Sequence, residues 1–350
     1  MKHVLRHLTV VVILILLCLF GVAAEDVKLK LNWVAGGDHI FYFVAKELGY
    51  YSDAGLNVTI ERGQGSGDTV KRVEIGTADI GLADTGTLAV ARSKGAKVKV
   101  VAMIYSNSPN GIKTRVDTGI RSPKDLEGKT VGVPSGDAQR VLWPALAAAN
   151  NVDPKKVRLI NIKPGAKAQV LAAKRVDAVF DWIVGNQGYW QAGLDKDKLV
   201  LIPWAKWGIS PYGNALMASE KTIKESPEMI GAFVGATMKA WRWSIQNPEK
   251  AVEIFVKNFP EVPPIAAEVR FVDDLTGLVD VEMAQTKGMG WIDRARMQQT
   301  VDLINTYFDV DRKITADEMF TNEFLPGYRM PSTSELPTKA ELYNKWKAGR

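Results

Sequence analysis

Residues 27–85 read VKLKLNWVAGGDHIFYFVAKELGYYSDAGLNVTIERGQGSGDTVKRVEIGTADIGLADT. Short β-branched or aliphatic runs alternate with helical stretches. Val27–Leu31 is expected to form a strand, and Phe41–Tyr50 a helix punctuated by Gly49 and Gly55. Asn57–Glu61 is a second strand, and Asp68–Glu74 a helix with Asp68 as its N-cap. Ile80–Ala83 is a third strand, followed by a helix over Thr87–Ser93 and a strand over Val98–Ile104. Strands separated by helices of this length imply βαβ units and a parallel sheet covered on both faces.

A second series follows Ser122-Pro123. Strands are expected at Thr130–Val133, Val157–Ile162, Ala178–Phe180 and Leu199–Ile202. Helices are expected at Asp137–Ala149, interrupted by Pro144, and at Lys167–Lys174. Beyond Tyr212 the pattern turns helical over Ser226–Asn247, Pro248–Asn258 and Asp293–Tyr307, with Pro227 at a first helical position. Two small sheets therefore form two α/β lobes, crossed near residues 107–113 and 207–214. Residues 25–110 plus 214–320 make lobe 1, and 111–213 lobe 2. Residues 321–350, rich in Pro, Gly and charge, form a surface segment.

The N-terminus reads as an export signal. Lys2 and Arg6 precede an apolar run from Leu8 to Phe20, and Val22-Ala23-Ala24 offers a cleavage point before Glu25. The run is shorter than the roughly 20 apolar residues of a membrane span. Cys18, the only cysteine, lies inside it after Leu16 and Leu17, which argues against lipidation. Cleavage after Ala24 leaves no thiol, which excludes disulfides, zinc–thiolate sites and cysteine nucleophiles. It also leaves His39 as the only histidine, so a His-rich metal site is excluded and no cofactor is expected. The net charge of +6 falls to +4 when Lys2 and Arg6 are removed. The remaining basic residues form no stripe of the kind nucleic acid requires.

In open α/β sheets ligands bind beyond the strand C-termini, so the residues after each strand are the site candidates. These are Asn32 and Trp33 with His39, then Gly65 and Ser66, then Asp84 and Thr85, then Ser108. Lobe 2 supplies Ser135 and the pair Asp181 and Trp182, and Tyr212 lies at the return crossing. Each has a plainer reading. Gly65-Ser66-Gly67 could be a turn, Asp137 a helix cap, Asp84 and Asp181 solvated charges, His39 a structural histidine, and Trp33 and Trp182 lobe core. Trp182, Trp190, Trp204 and Trp207 fall in one interval suited to a ring-binding cleft. Trp241 and Trp243 are two apart on a helix and read as packing residues.

The chain resembles the periplasmic solute-binding proteins for nitrate, sulfonates and the thiamine pyrimidine precursor. The resemblance is carried by Leu31-Asn32-Trp33 with His39, Ala45-Lys46-Glu47-Leu48-Gly49-Tyr50-Tyr51 and Ala54-Gly55-Leu56. Gly76-Thr77-Ala78-Asp79-Ile80-Gly81 and Lys124 to Val133 (KDLEGKTVGV) extend it to about Phe259. It implies a two-lobed type II periplasmic binding fold that closes over a small molecule and serves an ABC permease, without catalysis, as a periplasmic monomer. The Trp33…His39 spacing is similar to the pyrimidine branch, which implies ring-binding roles for Trp33 and His39, completed by Asp181 and Trp182. Val34-Ala35-Gly36-Gly37 stands where that branch often has Pro-Asn.

Facing carboxylates at Asp84 and Asp181 would favour an amino-bearing or neutral guest, because a buried carboxylate costs several kcal/mol unless paired. If both faced solvent, the N–H-rich loops would favour a sulfonate, nitrate or carboxylate. A related pyrimidine-forming enzyme group needs a cysteine-rich motif that this chain lacks. A periplasmic enzyme with His39 as base beside Asp84 or Asp181 and a sensory ligand-binding subunit are the remaining alternatives.

Overall fold

The computed structural model describes residues 24–348. The expected export signal falls outside the described residues except for Ala24. Among the described residues, ten strands form two five-stranded sheets. The first comprises β1 (Glu25–Lys30), β2 (Leu56–Glu61), β3 (Ile80–Asp84), β4 (Val98–Met103) and β10 (Asn214–Ser219), in the order β2-β1-β3-β10-β4. The second comprises β5 (Asn110–Arg115), β6 (Thr130–Gly132), β7 (Arg158–Ile160), β8 (Ala178–Trp182) and β9 (Leu199–Pro203), in the order β7-β6-β8-β5-β9. The chain thus leaves the first sheet after Met103 and returns to it at Asn214.

Both sheets are mixed, which corrects the parallel expectation. β10 runs antiparallel to β3 and β4, and β5 runs antiparallel to β8 and β9. Neither strand was expected, because both coincide with the crossings and neither has a strand-like pattern. β5 (NGIKTR) is polar at most positions yet fully buried, with Lys113 lying over the Tyr189 ring at 4.3 Å. β10 (NALMAS) is built of Ala, Leu and Met, residues with little intrinsic preference for a pleated strand. Burial between two neighbours, not propensity, makes both of them strands.

Helices cover the sheets: α1 (Ile40–Glu47), α2 (Ser66–Glu74), α3 (Thr85–Ser93), α4 (Ala138–Ala149), α5 (Lys167–Ala172) and α6 (Gln187–Gln191). A helical shell follows the second crossing, with α7 (Pro227–Gln246), α8 (Pro248–Asn258), α9 (Pro264–Leu278) and α10 (Arg294–Tyr307). α2 opens at Gly65, and Asp68 instead pairs with Arg72 one turn on at 3.0 Å. α4 continues through Pro144, its apolar face held by buried Leu142, Trp143 and Leu146. Trp241 stacks on Phe41 in the core at 5.2 Å, whereas Trp243 is half-buried on the next face.

The C-terminal segment does more than wrap the surface. A final helix, α11 (Lys339–Ala348), buries Leu342 and Trp346 in the same apolar cluster as Phe271 of α9. Trp190 of α6 meets Tyr343 and Trp346 at 4.9 and 5.1 Å. Among the described residues no helix is long and apolar enough to cross a membrane.

Candidate functional site

A cleft with about 420 Å³ of empty space, its open mouth included, lies between the two sheets. Its walls are built from the ends of parallel strands. After β1 the chain supplies Asn32, Trp33 and Asp38, and after β2 it supplies Gly65 and Ser66. The second sheet supplies Asp137 and Gln139 at the head of α4, Lys167 at the head of α5, and Asp181 and Trp182 at the end of β8. Arg270 of α9 completes the rim.

The lobes meet across this cleft. Gly67 N–H donates to Gly136 O at 3.0 Å, and Gly185 N–H donates to Asp273 Oδ2 at 2.8 Å. Gly65, at φ +128, is required here, since a Cβ on it would stand 2.0 Å from Gly136 O. Gly37 has a different reason. A Cβ there would stand 2.2 Å from Ala267 O, so the Gly36-Gly37 pair lets α9 press against the chain beneath Trp33.

Each lobe sends one cation over the tryptophan of the other. Lys167 Nζ lies 4.8 Å from the Trp33 ring centroid, and the Arg270 guanidinium lies 4.8 Å from that of Trp182. Neither cation is free. Lys167 pairs with Asp137 at 2.7 Å and with Asp181 at 3.3 Å. Arg270 pairs with Asp274 at 2.6 Å and with Asp38 at 3.4 Å.

Burial would lower the Lys167 ammonium, but the two carboxylates outweigh it and raise its pKa. Burial also raises Asp137, against the pull of Lys167. Asp181 is pushed up by burial too, yet Lys167, Lys113 and the Tyr189 hydroxyl together hold it well below the usual carboxylate range. Lys113 itself falls to about 8 through burial.

The structure brings Asn32, Trp33, Gly65, Ser66, Asp181 and Trp182 together on the cleft. The other expected residues stand elsewhere. His39 is fully buried behind the wall. Its Nδ1 accepts from Gly36 N–H at 3.2 Å, which leaves Nε2 as the donor to Asn32 Oδ1 at 2.9 Å. This is the neutral imidazole, consistent with a pKa lowered by burial, and it orients Asn32 without reaching the cleft.

Asp84 caps α3, accepting from Thr87 N–H at 2.7 Å, and lies beneath Ser66, whose Oγ accepts from the Asp84 N–H at 3.0 Å. Thr85 is buried and donates to Tyr212 O. Tyr212 is covered by Arg296 at 4.5 Å and does not form a second ring wall. Ser108 is buried at the first crossing, and Ser135 is exposed at the surface. Trp204 is core, edge-on to Phe180 at 5.3 Å.

Among the polar lining residues, sequence reasoning missed Gln139, Lys167 and Arg270. It read Asp137 as a possible cap; the residue does cap α4 through Gln139 N–H at 3.0 Å, but it also faces the cleft. Lys167 and Arg270 begin or lie within helices, where the strand-end rule does not look. The one local sign for Arg270 was its i, i+4 spacing to Asp274.

Residues 37–251 match the family described as NMT1/THI5 like. Over 303 residues the chain is 24% identical to the formylaminopyrimidine-binding protein of Halalkalibacterium halodurans, covering 86% of this chain and 91% of that one. It is 23% identical over 309 residues to the 4-amino-5-hydroxymethyl-2-methylpyrimidine phosphate synthase of Legionella pneumophila, with 86% and 92% covered. Among solved structures, the periplasmic aliphatic sulphonate binding protein SsuA of Escherichia coli superimposes with a TM-score of 0.59 at 15% identity. That superposition covers 91% of this chain and 99% of the other, and it establishes the two-lobed periplasmic binding protein fold.

Proposed function

The chain belongs to the NMT1/THI5-like family, and from that premise we propose that it is the solute-binding component of an ABC importer, holding a small planar heterocycle between its lobes. The carrying observation is a cleft with one tryptophan from each lobe and three carboxylates, Asp38, Asp137 and Asp181, around them. Aromatic walls with a few aimed polar groups suit a flat small molecule. In this reading Asn32, Trp33, Gly65, Ser66, Asp181 and Trp182 touch the guest, while His39 and Asp84 hold the wall. Lobe 1 is residues 25–110 plus 214–320 and lobe 2 is 111–213. The leader ends at Ala24, the protein works in the periplasm as a monomer, and a membrane permease receives the guest.

An anion fits this cleft less well. Lys167 and Arg270 are already paired, so a sulfonate, nitrate or carboxylate would meet three carboxylates with no uncommitted cation among the lining residues. Catalysis, as in the synthase relative, also has little to work with. His39 is behind the wall, and the described residues contain no cysteine nucleophile.

A thermal-shift panel of formylaminopyrimidine, riboflavin, an alkanesulfonate and nitrate tests the reading. A heterocycle at 100 times its Kd should stabilise the fold by about 2.7 kcal/mol. A shift from the sulfonate or nitrate alone would select the anion reading, and turnover of the pyrimidine would select an enzyme. Gly65→Ala supplies a second arm. Its methyl collides with Gly136 O across the cleft, and φ +128 strains any residue but glycine, so the ligand-induced shift should shrink and the unliganded melting point should fall as well.

A further inference from the structure

Asp137 and Gln139 stand side by side at the head of α4, 3% and 1% exposed, and both line the cleft. Their polar atoms are in unlike states. Asp137 Oδ1 accepts from the Gln139 backbone N–H, while its Oδ2 is met by Lys167. Gln139 Nε2 is buried with no hydrogen-bond partner. A buried amide N–H left unpaired is unfavourable, so this position suits a hydrogen-bond acceptor.

Lys167 meets the same carboxylate. Its ammonium rests on the face of Trp33 and on the Asp137 carboxylate together. That is where a flat guest stacked on Trp33 would place a donor. Withdrawing Lys167 would leave Asp181 well supplied, since it keeps the Tyr189 hydroxyl at 2.5 Å, the Trp182 N–H at 2.9 Å and Lys113 at 3.8 Å. Asp137 Oδ2 would lack a partner until a guest arrived.

We propose that Lys167 is an internal competitor for the guest's place against Trp33 and Asp137, and that Asp137 and Gln139 select a flat ring carrying a hydrogen-bond donor beside an acceptor on one edge. The inference rests on the importer reading and narrows its guest. On binding, the ring takes the Trp33 face, its amino group donates to Asp137 Oδ2, and its ring nitrogen accepts from Gln139 Nε2. The Lys167 ammonium moves off, retaining Asp181. Selectivity then comes from the edge pair, because a site built to hydrogen-bond a group rejects the analogue that lacks it.

The test compares 4-amino-2-methylpyrimidine with 2,4-dimethylpyrimidine, in which a methyl replaces the amino group, by calorimetry on the full chain. The wild type should bind the amino compound about tenfold or more tightly than the dimethyl compound. Lys167→Met should tighten the amino compound by roughly tenfold, since no resident cation has to be displaced. Gln139→Met should weaken both probes, which share the ring nitrogen, and leave the preference for the amino compound, set by Asp137, largely in place.

Equal binding of the two probes by the wild type overturns the proposal, as does failure of both to bind. Loss of affinity for both probes alike in Lys167→Met does so too, for it would make Lys167 a brace. The wild-type comparison needs no variant to fold, and unliganded melting points check the two variants. Failure here combined with a shift from riboflavin or formylaminopyrimidine leaves the importer reading standing. Failure across the whole panel removes both.

Discussion

The two cation–tryptophan crossings share a distance and differ in how their cations are held. Arg270 is fixed from its own lobe by Asp274 at 2.6 Å and by Asp38, and its guanidinium lies over Trp182 where Gly185 leaves room for it. Lys167 stands at the start of the six-residue helix α5 and holds two carboxylates as a point charge on a flexible stem. One crossing is built as a permanent clasp, the other as an exchangeable contact. A cleft that must both close and admit a guest needs one of each. Closure without an anchor would be unspecific, and two fixed cations would leave no ring face to offer.

Removing the clasp should have the largest effect. Arg270→Met keeps an apolar stem over Trp182 but leaves Asp274, fully buried, without its cation. Breaking a buried pair from one side costs about 3–5 kcal/mol, and urea denaturation should read a loss of that size. Ligand affinity should fall with it, because the lobes lose their anchor. A loss under about 1 kcal/mol would place Arg270 with ordinary surface pairs and dissolve the distinction between the crossings.

Asp84 extends the comparison to a carboxylate with no cation at all. Asp274 faces a guanidinium and Asp137 an ammonium, but Asp84 has the Thr87 N–H and hydroxyl with the neutral Asn110 side chain, and burial raises its pKa from 3.8 to about 6. Its folded value lies above its unfolded one, so its protonated form is favoured in the fold. Its contribution is therefore intact below about pH 4 and is lost as pH rises to about 6. The full loss is about 3 kcal/mol at 1.36 kcal/mol per unit. Asp84→Asn keeps a cap acceptor and cannot ionise. Subtracting its stability curve from that of the wild type should leave a downward step between pH 4 and 6. A flat difference would mean that Asp84 finds a partner in solution.

Much of this was legible in the sequence because strand ends are local signals. Asn32, Trp33, Gly65, Ser66, Asp181 and Trp182 each follow a run that reads as a strand, and the topology carries them to one gap. The same rule overreached at Asp84, Thr85 and Ser108, where the chain after the strand turns inward to build the floor and the crossing. It was silent on Lys167 and Arg270, whose roles depend on which helix lies opposite which tryptophan. That pairing is a property of the closed arrangement of lobes, and no spacing within one chain segment encodes it. β5 and β10 escaped for a related reason, since their strand character comes from neighbours on both sides.

The smallest expected effect isolates burial from pairing. Lys345 of α11 meets Glu268 of α9 at 2.6 Å, as short as the Arg270–Asp274 contact on the same helix, but Lys345 is 57% exposed. In water the Coulomb gain is screened and ordering the long side chain offsets it, so such pairs contribute about 0–1 kcal/mol. Lys345→Ala should therefore move the urea midpoint by no more than that, and added salt should erase the change. If Lys345→Ala cost as much as Arg270→Met, short ion-pair geometry alone would explain both, and the clasp would owe nothing to its burial against Trp182.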